Sequence, residues 1–79
     1  MAGTQKRNGP RALVVCVDND GYPASLELRK IYIALHDAAA HRHGMLRVID
    51  ESGEDYLYPK FLFMPVDLPL AVRKAVLAA

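Results

Sequence analysis

Apolar residues in this chain occur in short runs, and a cluster of turn-forming residues ends the first of them. Residues 12–17 (ALVVCV) are rich in β-branched side chains and are followed at once by Asp-Asn-Asp-Gly over residues 18–21. β-Branched residues favour strands, whereas Asp, Asn and Gly favour turns. Runs of this length are typical of strands and short for helices, so the chain is predicted to be mainly β.

Four further segments are predicted to be extended. Residues 51–54 (ESGE) provide the tight, Gly-containing connection of a hairpin, and Pro59 ends the strand that follows it. Alternation in the second strand places Ile31, Ile33 and Leu35 on one face and leaves Tyr32 on the other. Short consecutive strands in a chain of 79 residues indicate a small antiparallel barrel, closed or half-closed. The predicted strands are residues 12–17, 29–35, 45–50, 55–58 and 64–66.

Two helical segments accompany the predicted strands. Residues 37–43 are predicted to form a short helical turn, because Asp37 is a suitable N-cap and Gly44 can take the left-handed position after the last turn. Asp67 is predicted to cap a C-terminal helix that has Pro69 in its first turn. The predicted organisation is therefore a flexible tail (residues 1–11), a barrel (residues 12–66) and a helix packed on the barrel (residues 67–79).

The order of these elements resembles an SH3-like barrel. The loop after Val17 stands where the long first loop of that family stands, and residues 45–59 (MLRVIDESGEDYLYP) look like its distal hairpin with the proline that ends the strand. Domains of this family that bind proline-rich peptides use several Tyr residues and one Trp. This chain has no Trp, and Leu62 stands where a Tyr is expected. The resemblance therefore implies the fold, about five strands, without that ligand.

Two motifs resemble a narrower group within this fold class. Residues 16–22 (CVDNDGY) and residues 47–59 (RVIDESGEDYLYP) are similar to segments of short bacterial proteins of unassigned function. The resemblance implies a bacterial origin and brings no activity with it.

The charge balance excludes no partner by itself. Ten Lys and Arg against nine Asp and Glu leave a net charge of +1, far from the strongly basic balance of a general nucleic-acid binder. The N-terminus lacks the apolar stretch of a signal peptide, and the single cysteine, Cys16, excludes an internal disulfide. A cytoplasmic location without membrane attachment is therefore expected.

Candidate catalytic and metal sites are few. His36, Asp37, His41 and His43 supply metal-ligating side chains within eight residues. At about 100° per residue, a helix would direct His41 and His43 in nearly opposite directions, so no metal site is predicted. Cys16 lies in an apolar strand, where a buried and inert thiol is usual. No catalytic constellation or cofactor motif is recognisable, and the chain is predicted not to be an enzyme.

The leading interpretation is a module that binds another protein, because exposed Tyr offers contact area and a hydroxyl group at low entropic cost. The first alternative is nucleic-acid binding by basic side chains, and the second is a structural homo-oligomer formed through Leu68, Val72 and Val76 of the terminal helix. The partner protein is expected to contact Tyr22, Tyr32, Tyr56, Asp50, Glu51, Glu54 and Asp55. A nucleic acid would contact Lys6, Arg7, Arg11, Arg29, Lys30 and Arg47.

Overall fold

The computed structural model describes residues 11–78, which form one antiparallel sheet of five strands in the order β4-β3-β2-β1-β5. The mainly β prediction is therefore confirmed, together with a C-terminal helix. The strands are β1 (Arg11–Cys16), β2 (Ile31–Leu35), β3 (Met45–Ile49), β4 (Asp55–Pro59) and β5 (Phe63–Pro65). The helices are α1 (Ala38–Arg42) and α2 (Leu70–Ala78), and a 3-10 turn spans Lys60–Leu62. Among the described residues no helix is long and apolar enough to span a membrane.

The prediction of a barrel is wrong in one respect, because the sheet is open. Strands β4 and β5 form its two edges and do not pair with each other within residues 11–78. Strand β5 has only three residues, and both β4 and β5 end at a proline, Pro59 and Pro65. Proline has no backbone N–H to donate to a ladder, so the last residue of each edge strand offers no donor to a further strand.

The main core lies on one face of the sheet. Side chains alternate along a strand, and the register places Cys16 opposite Phe63 and Ala34 opposite Val48, so that these residues share that face. Leu26, from the β1–β2 loop, and Leu62, from the 3-10 turn, close over them and are each only 1% exposed. The buried residues of this core are Val14, Cys16, Leu26, Tyr32, Ala34, Val48, Tyr58, Leu62 and Phe63.

Helix α1 follows the predicted capping pattern. The side chain of Asp37 accepts a hydrogen bond from the Ala40 amide at 3.1 Å, which satisfies one of the free donors of the first turn. Gly44 follows the helix with φ of +72°, a backbone conformation that side chains with a Cβ rarely adopt. Both predictions, the Asp37 cap and the left-handed Gly44, are confirmed.

Helix α2 begins later than predicted. Its first backbone hydrogen bond runs from the Arg73 amide to the Pro69 carbonyl at 2.9 Å, so the helix starts at Leu70 and Asp67 does not cap it. A residue that precedes proline is disfavoured in the helical region, so Leu68, which precedes Pro69, is unsuited to the first turn of a helix and the start is delayed. No residue of α2 is buried, although Val76 is half-buried, and Val72 is 46% exposed.

A candidate binding cleft at the acidic end of the sheet

The molecule carries most of its acidic residues at one end of the sheet. The β1–β2 loop and the β3–β4 hairpin meet there, because antiparallel strands alternate in direction. Residues 17–30 and 50–55, which we call the acidic end, contain seven carboxylates and two cationic side chains, a net charge of −5. The carboxylates are Asp18, Asp20, Glu27, Asp50, Glu51, Glu54 and Asp55, and the cations are Arg29 and Lys30. This end therefore attracts positively charged groups.

A cleft of about 460 Å³ opens at the acidic end between the loop and the hairpin. Two tyrosines of its wall are open to solvent: Tyr56 is 53% exposed and Tyr22 is 37% exposed. We call this the tyrosine cleft, and its lining residues are Tyr22, Ser25, Asp50, Ser52, Tyr56, Leu57 and Tyr58. The structure thus brings Tyr22, Tyr56 and Asp50 together, three of the residues that the sequence predicts for partner binding.

The β1–β2 loop folds so that Tyr22 reaches the hairpin. The Tyr22 amide donates to the Asn19 carbonyl at 2.8 Å, and Gly21 between them has φ of +89°. The Asn19 side chain in turn donates to the Leu26 carbonyl at 3.0 Å, and buried Leu26 anchors the loop. The Tyr22 ring then meets the Tyr58 ring edge to face, with centroids 5.0 Å apart, a favourable aromatic geometry.

Asp50 forms the buried base of the tyrosine cleft. One carboxylate oxygen accepts from the Ser52 amide at 2.9 Å and the Ser52 hydroxyl at 2.6 Å, and the other accepts from the Tyr58 hydroxyl at 2.5 Å. Burial raises the pKa of Asp50, but these hydrogen bonds together outweigh it and hold the pKa below its ordinary value. The pKa of Tyr58 is raised to about 12, mainly by burial and also by its bond to Asp50. The carboxylate is therefore ionised and fixed in position at neutral pH.

Tyr32 does not belong to this surface, which corrects the sequence prediction. It is only 5% exposed, and its hydroxyl donates to the Glu51 carboxylate while accepting from the Glu27 amide at 2.7 Å. Burial and the bond to Glu51 raise the pKa of Tyr32. Alternation correctly separates Tyr32 from Ile31 and Ile33, but the main core lies on the face of β2 that carries Tyr32. There the Phe63 ring meets the Tyr32 ring edge to face.

Most carboxylates of the hairpin already have partners inside the molecule. Glu51 forms an ion pair with Lys30 at 2.7 Å, and Asp55 forms one with Arg47 at 3.2 Å. Glu54 is exposed. The hairpin therefore offers a partner its overall negative field together with Glu54, rather than a set of four free carboxylates.

The four residues of the nucleic-acid alternative that lie within residues 11–78 do not form one patch. Arg29 and Lys30 lie at the acidic end, whereas Arg11 and Arg47 flank Leu35 in the register nearer the other end. Arg47 also contacts Asp37 and Asp55, at 2.9 Å and 3.2 Å. Lys6 and Arg7 lie outside the described residues.

The structure also places the candidate nucleophile and metal ligands. Cys16 is fully buried, and burial raises the pKa of its thiol, which lowers the reactive thiolate fraction at neutral pH. His36, His41 and His43 are exposed, and Asp37 is engaged by Arg47 and the α1 cap. Within residues 11–78 no group of three or more His, Cys, Asp or Glu side chains is arranged to hold a metal ion.

Sequence reasoning missed part of the cleft lining, although the signals were present. Tyr58 lies two residues after Tyr56 and therefore on the same face of β4, where its ring connects Tyr22 to the core. Ser52 lies two residues after Asp50, the spacing at which an Asp side chain accepts from a backbone amide in a turn. No family model matches this chain, and neither the curated proteins nor the solved structures contain a significant match.

The two anchored carboxylates predict how stability depends on pH. Asp50 and Glu51 both have a lowered pKa in the folded chain, Asp50 because hydrogen bonds outweigh burial and Glu51 mainly because Lys30 binds it. Their stabilising contribution is therefore fully present above the unfolded pKa values, about 4, and is lost as the pH falls through the lower folded values. Urea unfolding at a series of pH values should show that the free energy of unfolding falls below about pH 4. It should fall less steeply with pH in Asp50→Asn than in the parent chain. Equal slopes in both chains would contradict it.

Proposed function

We propose that this chain is a non-enzymatic protein-interaction module whose tyrosine cleft binds a segment of a partner protein that carries Arg or Lys next to an apolar residue. One observation carries the proposal: two exposed Tyr rings flank a fixed, ionised carboxylate at an end of the molecule with a net charge of −5. Aromatic faces, a carboxylate and a negative field all favour a cationic side chain.

The arrangement fits an extended segment better than a single ion. A cation over a Tyr face contributes about 0.5–1 kcal/mol at an exposed site, so one contact gives little affinity. Leu57, which is 41% exposed and also lines the cleft, adds an apolar contact for a neighbouring side chain. Several such contacts in series give the weak, salt-sensitive affinity that is common in peptide recognition.

The fold itself supports an SH3-like assignment as part of this proposal. The long β1–β2 loop and the tight β3–β4 hairpin with Pro59 at the end of β4 occur in the order on which the sequence resemblance rests. The sheet is open at β4 and β5, so the assignment concerns the order of elements and not a closed barrel.

The direct test is binding of a fluorescent peptide in which Arg and Leu alternate, measured by anisotropy at low salt. We expect Tyr22→Ala and Tyr56→Ala each to weaken binding about five-fold, because each removes an aromatic contact worth about 1 kcal/mol. Phe61→Ala is the matched control, since Phe61 is an aromatic residue 73% exposed that does not line the cleft.

The nucleic-acid alternative and the homo-oligomer alternative predict different outcomes, the first in the binding assay and the second in light scattering. A peptide with Glu in place of Arg should not bind, and equal binding of both peptides would contradict the proposal. Tighter binding of single-stranded RNA than of the Arg–Leu peptide, lost with Arg29→Gln rather than with Tyr56→Ala, would favour the nucleic-acid alternative over it. Light scattering that shows a dimer broken by Val72→Asp, with no peptide binding, would favour the homo-oligomer instead.

A further inference from the structure

A second cleft lies at the opposite end of the sheet and has the opposite charge. It has a volume of about 490 Å³ and opens between the start of β1, helix α1 and the start of β3. Arg11, Arg42 and Arg47 line it. Its one carboxylate, that of Asp37, already accepts from Arg47 Nε at 2.9 Å and from the Ala40 amide at 3.1 Å. We call this the basic cleft, and its net charge is positive.

The floor of the basic cleft is apolar, because two alanines lie side by side there on neighbouring strands. Ala12 of β1 pairs with Ala34 of β2, and Leu46 of β3 lies on the same face of the sheet. A larger side chain at exposed Ala12 would fill the space, whereas its methyl group leaves it open. The volume lies within the range of about 300–1,000 Å³ that small-molecule sites occupy.

Arg42 is the cation best placed to meet a ligand. It is exposed at the end of α1, and no hydrogen bond or ion pair engages its side chain among the described residues. Arg47, by contrast, is committed to Asp37 and Asp55, whose carboxylates offset its charge. A guanidinium group binds carboxylate and phosphate oxygens in a two-pronged geometry.

We propose that the basic cleft binds a small organic anion, with its carboxylate or phosphate at Arg42 and its apolar body on the floor formed by Ala12, Ala34 and Leu46. Charge complementarity selects the anionic head, and the alanine floor selects an apolar body over a bare inorganic ion. The site is independent of the tyrosine cleft, since the two clefts share no lining residue.

The test uses amide-shift titrations of the full chain with four probes: naphthalene-2-carboxylate, 2-naphthyl phosphate, neutral naphthalene-2-carboxamide and inorganic phosphate. The two naphthyl anions should shift the amides of Ala12, Leu35 and Arg42 and saturate. The neutral amide and inorganic phosphate should each bind at least about ten-fold more weakly, because the amide lacks the negative charge and inorganic phosphate lacks the apolar body.

Three variants separate the head contact from the floor. Arg42→Gln should weaken both naphthyl anions about ten-fold, the effect of losing a charged hydrogen bond. Ala12→Leu should abolish binding by filling the floor, and its spectrum shows whether it remains folded, as the exposed position of Ala12 predicts. Lys74→Gln, the matched charge removal on α2, should change nothing. Equal binding of the neutral amide, or equal losses in Arg42→Gln and Lys74→Gln, would overturn the proposal, as would binding of the carboxylate or phosphate with shifts confined to other residues.

Discussion

Replacing Leu26 with Ala is expected to lower the free energy of unfolding by about 3 kcal/mol, the middle of the range for truncating a buried leucine. Leu26 is 1% exposed and packs into the main core although it comes from the β1–β2 loop. The loss is large for a chain of 79 residues, because a core of this size rarely supplies more than about 3–5 kcal/mol. Urea unfolding followed by circular dichroism, at a temperature where the parent chain is most stable, measures the difference.

Leu28→Ala is the matched control for this experiment. Leu28 lies in the same loop but is 43% exposed, so its truncation should change the free energy of unfolding by no more than about 0.5 kcal/mol. Similar losses in both variants would show that Leu26 does not anchor the loop. If Leu26→Ala is too unstable to study, Leu26→Met should cost less than about 1.5 kcal/mol and retain the ring-current shifts of the Tyr22–Tyr58 contact.

The burial of Leu26 could not be predicted from sequence patterns, in contrast to the strands and α1. Strand-length apolar runs and the Asp37 cap were sufficient to predict five strands and α1, because those signals are local. Leu26 lies after Gly21 and Pro23 and before β2, in a segment where apolar and polar residues do not alternate. Its burial depends on the path of a long loop over the sheet, and no local pattern encodes that path.

The residues of the tyrosine cleft were predicted only in part, because local patterns do not specify which face of a strand is covered. Tyr22, Tyr56 and Asp50 were predicted to lie in one surface, and the loop and hairpin do bring them together. Tyr32 was misplaced because alternation divides a strand into two faces without saying which face is the main core. In β2 both faces are apolar enough to be buried, and only the covering Leu26 and Leu62 decide between them.

Asp50→Ala is expected to lower the free energy of unfolding by about 2 kcal/mol, because it leaves the buried Tyr58 hydroxyl without its acceptor. The Tyr58 hydroxyl, the Ser52 amide and the Ser52 hydroxyl all donate to this carboxylate, which is 7% exposed. Glu54→Ala removes an exposed carboxylate from the same hairpin and should change stability by no more than about 0.5 kcal/mol. Urea unfolding at neutral pH compares the two variants.

A double-mutant cycle with Tyr58→Phe isolates the contribution of the Tyr58–Asp50 bond. Tyr58→Phe alone should cost about 1–2 kcal/mol, because Asp50 loses one of its donors but keeps the two from Ser52. In the Asp50→Ala background the same change should cost much less, since the phenol has no acceptor left to lose, and the two losses should fall short of additivity by about 1 kcal/mol or more. Strict additivity would mean that the 2.5 Å contact contributes no coupling energy. The base of the tyrosine cleft would then be held by Ser52 and by the packing of the Tyr58 ring against Tyr22 and Phe63.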